Sequence, residues 1–400
     1  MTRRDPGQRL RVLVIGAGIG GLSLAQGLRR EGIDVAVHER DAHVPGSADR
    51  YRLRITPEGD EALRACLPNH LHELLVATSM TYDKGIAGFD EHLSPVWEMN
   101  EPDVAEDRRV DAVDRAALRA ILFTGLEDTV VLDSSFERLE QTQDGRVRAY
   151  FANGTTDTGD VLVAADGVDS AVRARCRPGD EDRPRDLKVR SIVSRVPREA
   201  VVKSGLPDFL QDRFSAVTAC DGVSFGLLPM TFRTSRPPGA PVAVDTEDYY
   251  TTVLNLHRDA LDVSDEAFFA MTGEQLLALL RARTAGWHPD LRALLDHAAA
   301  PDTHPIALRA AVPVRPWEPG RVIPLGDAVH AMPPSGGVGA NTAVQDAALL
   351  CRELGKVDRR AQTVTEAARA YGTAMASYAA AAVTMSLQMA KGSTDIDWSP

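Results

Sequence analysis

The sequence predicts a mixed α/β fold: a Rossmann-like unit assembled from discontinuous segments, a second and mainly antiparallel β-sheet, and C-terminal helices. Three observations carry this. An uninterrupted apolar run at residues 11–15 leads through Gly16-Ala17-Gly18-Ile19-Gly20-Gly21 into a helical stripe, the strand, glycine turn and helix of a βαβ unit. A second strand followed by a glycine-rich turn and a helix returns late in the chain, over residues 321–354. Between them, from about residue 178, the pattern changes to extended segments broken by Pro and Gly, as antiparallel strands are.

In chain order, residues 11–15 read as a strand buried on both faces, and Leu22, Leu24, Ala25 and Leu28 supply the inner stripe of the following helix. Residues 34–38 form the second strand. A polar loop follows at 41–49, then an extended stretch at 52–55, and Thr56-Pro57-Glu58 starts a helix with an N-cap hydroxyl and proline in its first turn. Asp114 caps a helix over 115–123. Residues 130–132, 136–141, 146–152 and 161–165 read as strands. The second sheet takes 214–218, 223–228, 250–256 and 306–314, with helices at 274–283 and 289–299 between them. Pro324 lacks an amide donor, which places the strand 321–325 at an edge or a bulge. The expected partition is a discontinuous nucleotide-binding domain from 1–75, 105–178 and 318–356, a substrate domain from 76–104 and 179–317, and a helical segment at 357–400.

Composition excludes several classes. The 400 residues carry 45 Lys plus Arg against 57 Asp plus Glu, a net charge of -12, with the basic residues scattered. No nucleic-acid partner is expected. Cys66, Cys176, Cys220 and Cys351 stand far apart, and His70 and His72 read as a solvated helix start, so no metal site is expected. Arg3 and Arg4 before the apolar run 12–28 look like an export leader, but five glycines interrupt that run and it ends in charge. The stretch 371–390 is uncharged but mostly Ala, too weakly apolar for a membrane span. A cytoplasmic protein without a membrane partner is expected.

Gly16, Gly18 and Gly21 occupy the glycine positions of GxGxxG: a tight turn, close backbone approach to a pyrophosphate, and close helix packing. Glu39 falls eighteen residues after Gly21, at the end of the second strand, where a carboxylate bonds adenosine ribose hydroxyls and disfavours a 2'-phosphate. Asp166-Gly167, with Ser170 and Arg173 behind it, follows the strand at 161–165. Gly326-Asp327 ends the late strand and leads into Pro333-Pro334-Ser335-Gly336-Gly337-Val338-Gly339-Ala340-Asn341. A carboxylate at a strand end can accept bonds from a sugar-like hydroxyl chain, and the glycine turn offers a helix N-terminus to an anion. Taken alone, this segment is equally open to a second phosphate site or a structural turn.

Together, in this order and spacing, the three motifs resemble those of the flavin-dependent aromatic hydroxylases, single-component FAD monooxygenases with the p-hydroxybenzoate hydroxylase fold. The resemblance spans most of the chain. It implies that Gly16, Gly18 and Gly21 hold the FAD pyrophosphate, that Glu39 holds the ribose, and that Arg40 lies on the adenine side. It likewise implies FAD contacts for Arg115, the ribityl chain for Asp327, and the flavin pyrimidine edge for Gly337, Gly339, Ala340 and Asn341. Asp166 would serve both FAD and NAD(P)H. Arg52 and Arg54 fall where this family brings side chains near the flavin, and Phe225, Leu227 and Met230 are expected to line the covering sheet. Two positions depart from the family pattern: Val338 stands where many members have Gln, and Ala343 where many have Gly.

The implied reaction is monooxygenation of a small apolar aromatic or polyketide-like substrate by hydroxylation, epoxidation or Baeyer-Villiger oxidation. O2 and a transient NAD(P)H would be the co-substrates, and the oxygen would pass through a C4a-hydroperoxyflavin. A redox-silent FAD-containing cyclase or binding protein is the alternative. A flavin-dependent halogenase is a minor one, since its WxWxIP signature is absent. No catalytic base is assigned, and the oligomeric state is open.

Overall fold

The computed structural model describes residues 9–393, apart from 44–49, 81–84, 100–109, 180–182, 204, 234–240 and 243, with side chains to residue 390. Its first layer is a five-stranded parallel sheet. Val322–Pro324 lies at one edge, followed by Val161–Ala164, Arg11–Ile15, Asp34–His38 and Val130–Val131. Alternation sends Val12 and Val14 into the core shared with the helices Ile19–Arg30 and Gly339–Asp358. Leu13 and Ile15 go to the other face. That face is covered by a small antiparallel sheet, Phe136–Gln141, Val147–Phe151 and Thr156–Gly159, whose Phe136, Val147, Ala149 and Phe151 complete its core. Burial on both faces is why these strands read as unbroken apolar runs. Pro324 lies in the edge strand, the position its missing N–H permits.

The second sheet has seven strands, in the order His304–Ala310, Arg185–Pro197, Tyr249–His257, Ser224–Met230, Phe214–Thr218, Ile86–Phe89 and Pro95–Met99. All pairs are antiparallel except Phe214–Thr218 with Ile86–Phe89. Helices Gly273–Arg283 and Pro289–Asp296 cover one face through Leu276, Leu280, Leu291 and Leu294. A Thr272/Gln275 capping box starts the first, and Pro289 opens the second.

Asp114 ties the helix Arg115–Phe123 to the seven-stranded sheet. One carboxylate oxygen caps the helix Arg115–Phe123 by accepting the Ala117 N–H at 2.8 Å, and the other accepts the Tyr249 hydroxyl at 2.7 Å. Both residues are buried. Burial first, and then the Asp114 charge, push the Tyr249 phenol well above its ordinary range, so it stays a donor.

The chain closes with the long helix Val364–Ser393, packed along Gly339–Asp358. Among the described residues no helix is long and apolar enough to cross a membrane, and no group of His, Cys, Asp or Glu could hold a metal ion. His72 corrects the solvated reading given to it: it is buried, bonded through Nε2 to Asp60 at 2.7 Å. Trp97 stands on the outermost strand with 46% of its surface exposed.

Candidate cofactor and substrate site

The glycine turn is shaped as its three positions require. Gly16 has φ +104, and a Cβ there would lie 2.4 Å from the Ala165 carbonyl oxygen; a Cβ on Gly21 would lie 2.1 Å from the Gly16 carbonyl oxygen. Both positions are closed by backbone. Gly18 is different: nothing lies within 4 Å of where its Cβ would be, so the open side of the turn is at the glycine that must admit a phosphate. Gly18 is also the N-cap of Ile19–Arg30 and provides no side-chain cap, which leaves that helix N-terminus available to an anion.

Glu39 is buried beside this turn and accepts the Ala17 N–H at 2.6 Å and the Asp41 N–H at 3.1 Å. Arg119 donates to the Ala17 carbonyl at 3.0 Å and lies 3.8 Å from Glu39. The sequence reading missed Arg119; the available signal was its place one helical turn beyond Arg115. Glu39→Gln is therefore expected to weaken FAD by about 1.5–3 kcal/mol, the worth of a charge-assisted bond. It should also lower the melting temperature of the apoprotein, because the same carboxylate holds the turn. Flavin-fluorescence titration and thermal melts measure the two effects separately.

Asp327 reaches solvent although protein encloses it on most sides, as on the floor of a cleft. Desolvation pushes its carboxyl above the usual range, and His330 and Arg115 pull it back. The carboxylate has no hydrogen-bond partner among the described residues. The helix Gly339–Asp358 begins at Gly339, Ala340 and Asn341 with no side-chain cap. Gly337 is left-handed at φ +62, and the Arg54 side chain lies against it, 3.3 Å from where a Cβ would be. Asn341 is buried, and its side chain is committed to the protein: its amide donates to the carbonyls of Arg54 and Gly337, both at 2.9 Å, and its oxygen accepts the Thr56 N–H at 2.8 Å. Only its backbone is left for a ligand.

Asp166 accepts the Ser170 hydroxyl at 2.6 Å and the Val172 N–H at 3.0 Å, at the start of the helix Ala171–Cys176. Arg115 lies over the Tyr51 ring, and Arg52 approaches Asp111 at 3.9 Å. Arg40 is largely exposed, beside Asp41.

The covering sheet corrects two expected residues. Phe225 and Leu227 are in the core shared with Leu276, Leu280 and Trp287, and the Trp287 ring meets Phe225 edge-on. They point away from the nucleotide-binding unit, because the period of two carries odd positions of this strand to the helix-covered face. The opposite face carries Gly226, Leu228 and Met230. Leu228 pairs with Thr251, whose hydroxyl accepts the Arg52 N–H at 3.0 Å, and Arg54 two residues on abuts Gly337. This face thus lies on the side of Arg52, Arg54 and the Gly337 turn. Met230 lies on it but is fully buried in the joint with Met80, Ala112 and Tyr249. The half-buried apolar side chains there are Ile86, Phe214, Ala216, Leu228 and Val253.

An open glycine turn, an uncapped helix at each end of the site and an unpartnered acid on a cleft floor define a dinucleotide-binding α/β unit roofed by a second sheet, and these donor groups fit FAD. Residues 14–86 match the NAD(P)-binding Rossmann-like domain and residues 299–386 match the FAD binding domain. A dual O-methyltransferase/FAD-dependent monooxygenase of Phaeosphaeria nodorum is 32% identical over 87% of this chain and 40% of its own length. Its counterpart from Cercospora beticola is 29% identical over 86% and 42%. This chain thus spans about two fifths of those relatives. The 6-hydroxynicotinate 3-monooxygenase of Pseudomonas fluorescens is 26% identical over 88% of this chain and 84% of that protein. A crystal structure from Photorhabdus luminescens, assigned as an FAD-containing monooxygenase, superposes with a TM-score of 0.83 at 27% identity, covering 98% of this chain and 100% of that one. Over most of its length the chain is thus similar to FAD-dependent monooxygenases, and it shares the fold of the Photorhabdus luminescens protein.

Proposed function

We propose that this protein is an FAD-dependent monooxygenase that uses NAD(P)H and O2 to oxygenate a small apolar aromatic or polyketide-like substrate. The observation that carries the substrate class is the side of the seven-stranded sheet turned toward Arg52 and Arg54, where Ile86, Phe214, Ala216, Leu228 and Val253 form a partly buried apolar wall. When bound, FAD supplies the electron transfer and the activation of dioxygen.

The chain's own part is positioning. Gly16, Gly18 and Gly21 with Glu39 would hold the adenosine and pyrophosphate end, and Asp327 would accept from the ribityl hydroxyls. The N-terminus of Gly339–Asp358 would offer its positive dipole end to the pyrimidine edge of a bound flavin. Arg54 and Asn341 fix the loop between them. The apolar wall orients the substrate and excludes water, which would otherwise divert reducing equivalents.

NAD(P)H consumption with coupled oxygen uptake, screened over electron-rich aromatic and polyketide-like compounds, tests the reading. Substrates should accelerate NAD(P)H oxidation and reduce peroxide release. The wall itself is tested by Leu228→Trp, which is expected to change which compounds stimulate turnover while leaving stability within about 0.5 kcal/mol, since the side chain is only half-buried. An unchanged substrate range in that variant would move the substrate to another face.

A further inference from the structure

Asp346, on the second turn of Gly339–Asp358, is fully buried, as is His330, and both lie directly beneath the turn that carries Asp327. One Asp346 oxygen accepts the Gly326 N–H at 2.9 Å and bonds His330 Nε2 at 2.6 Å; the other accepts the hydroxyl of Tyr378 from the C-terminal helix. Gly326 is the residue before Asp327 and has φ +64, a backbone conformation that needs outside support to stay in one geometry. The neighbouring Tyr371 hydroxyl donates to the Pro324 carbonyl at 3.0 Å, on the other side of the same turn. His330 Nδ1 has no partner among the described residues, so the ring is fixed through Nε2.

We propose that Asp346, with His330 and Tyr378, is a positioning device for FAD: it fixes the turn that presents Asp327 to the cofactor and ties that turn to the C-terminal helix. A buried carboxylate with this many donors is costly to place, and a structural anchor for the helix pair alone would not need the Gly326 N–H. His330 gives the device a pH signature. The groups facing it are Asp346 from the long helix, Asp327 from its own turn, and Tyr378 with Tyr371 from the C-terminal helix; Arg115 acts on Asp327, and Arg173 bonds the Ala328 carbonyl. Burial opposes protonation of His330, but the Asp346 and Asp327 carboxylates outweigh it and hold the imidazolium above the ordinary histidine value of 6.5. The charged imidazolium offsets Asp327 when a cofactor covers it. FAD affinity should therefore fall as pH rises through the raised value, apart from a separate loss on the acid side where the Asp327 carboxyl takes up its proton.

The proposal rests on FAD binding at Asp327 and not on turnover, so it is tested on the apoprotein by FAD-fluorescence titration across pH. Asp346→Asn should weaken FAD at least tenfold and move the alkaline loss of affinity to lower pH, because the anion that holds the proton is gone. Tyr378→Phe keeps the His330 pair: it should weaken FAD severalfold, leave the pH midpoint in place and fold normally, which keeps the test decisive if Asp346→Asn does not fold. Wild-type FAD affinity in Tyr378→Phe, or an unmoved pH profile in a folded Asp346→Asn, would overturn the proposal. Absence of NAD(P)H oxidation would instead strike the monooxygenase reading and leave this one standing.

Discussion

A Gly18→Ala variant is expected to fold with the melting temperature of the parent and yet to lose most of its FAD. Gly18 has φ -75, an ordinary backbone angle, and a Cβ there meets nothing within 4 Å, so the fold has no reason to object. The methyl group would occupy the open side of the turn, where a pyrophosphate must approach the backbone to within hydrogen-bond distance. A one-carbon obstruction at that contact should cost tenfold or more in affinity, since the charge-assisted bonds it lengthens are each worth about 1.5–3 kcal/mol. Gly21→Ala is the control with the opposite signature. Its Cβ would lie 2.1 Å from the Gly16 carbonyl oxygen, and backbone cannot step aside as a flexible side chain can. Overpacking of this kind costs about 1–3 kcal/mol, so Gly21→Ala should lower the melting temperature and the FAD content together. Thermal melts of both apoproteins beside FAD titrations separate the two roles; equal behaviour of the two variants would contradict the assignment.

The second large effect is expected at Phe225. It is fully buried against Trp287 and the leucines of Gly273–Arg283 and Pro289–Asp296. Phe225→Ala should cost about 3–5 kcal/mol of folding stability, the loss of burial plus the cavity left behind. FAD affinity, measured where the variant is still folded, should hardly change, because the residue faces away from the cleft. Denaturant unfolding of the parent and the variant gives the difference. A small stability loss with an altered substrate range would mean that Phe225 does line the cleft after all, and that the face assigned to Leu228 is wrong.

That contrast shows what the sequence can reveal. The parallel strands, the glycine turn and the antiparallel sheet are written in local pattern: apolar runs, glycine spacing and Pro-broken extended segments. The placement of Glu39 beside the glycine turn and of Asp327 after the late strand was legible because their distance from a motif is local too. The face on which a strand shows its side chains is not. In Ser224–Met230 both Phe225 and Leu228 are apolar, and only the helices packed on one side decide which of them meets solvent. The Asp346, His330 and Tyr378 cluster was hidden for a related reason. Its members are 16 and 32 residues from Asp346, on elements brought together by packing, and a lone Asp in a helix or a Tyr in an alanine-rich one carries no signal. Asn341 was expected at the flavin pyrimidine edge, but its side chain binds the protein, bridging Arg54, Thr56 and Gly337.

A redox-active FAD in this cleft is checked by anaerobic mixing of the FAD-loaded protein with NADPH and with NADH, with and without an aromatic ligand that binds. The oxidised flavin absorbance should bleach with at least one nicotinamide, faster when the ligand is present, and return on admission of oxygen. An FAD that stays oxidised with both nicotinamides, even with a bound ligand, would contradict the account and favour a redox-silent role for the cofactor.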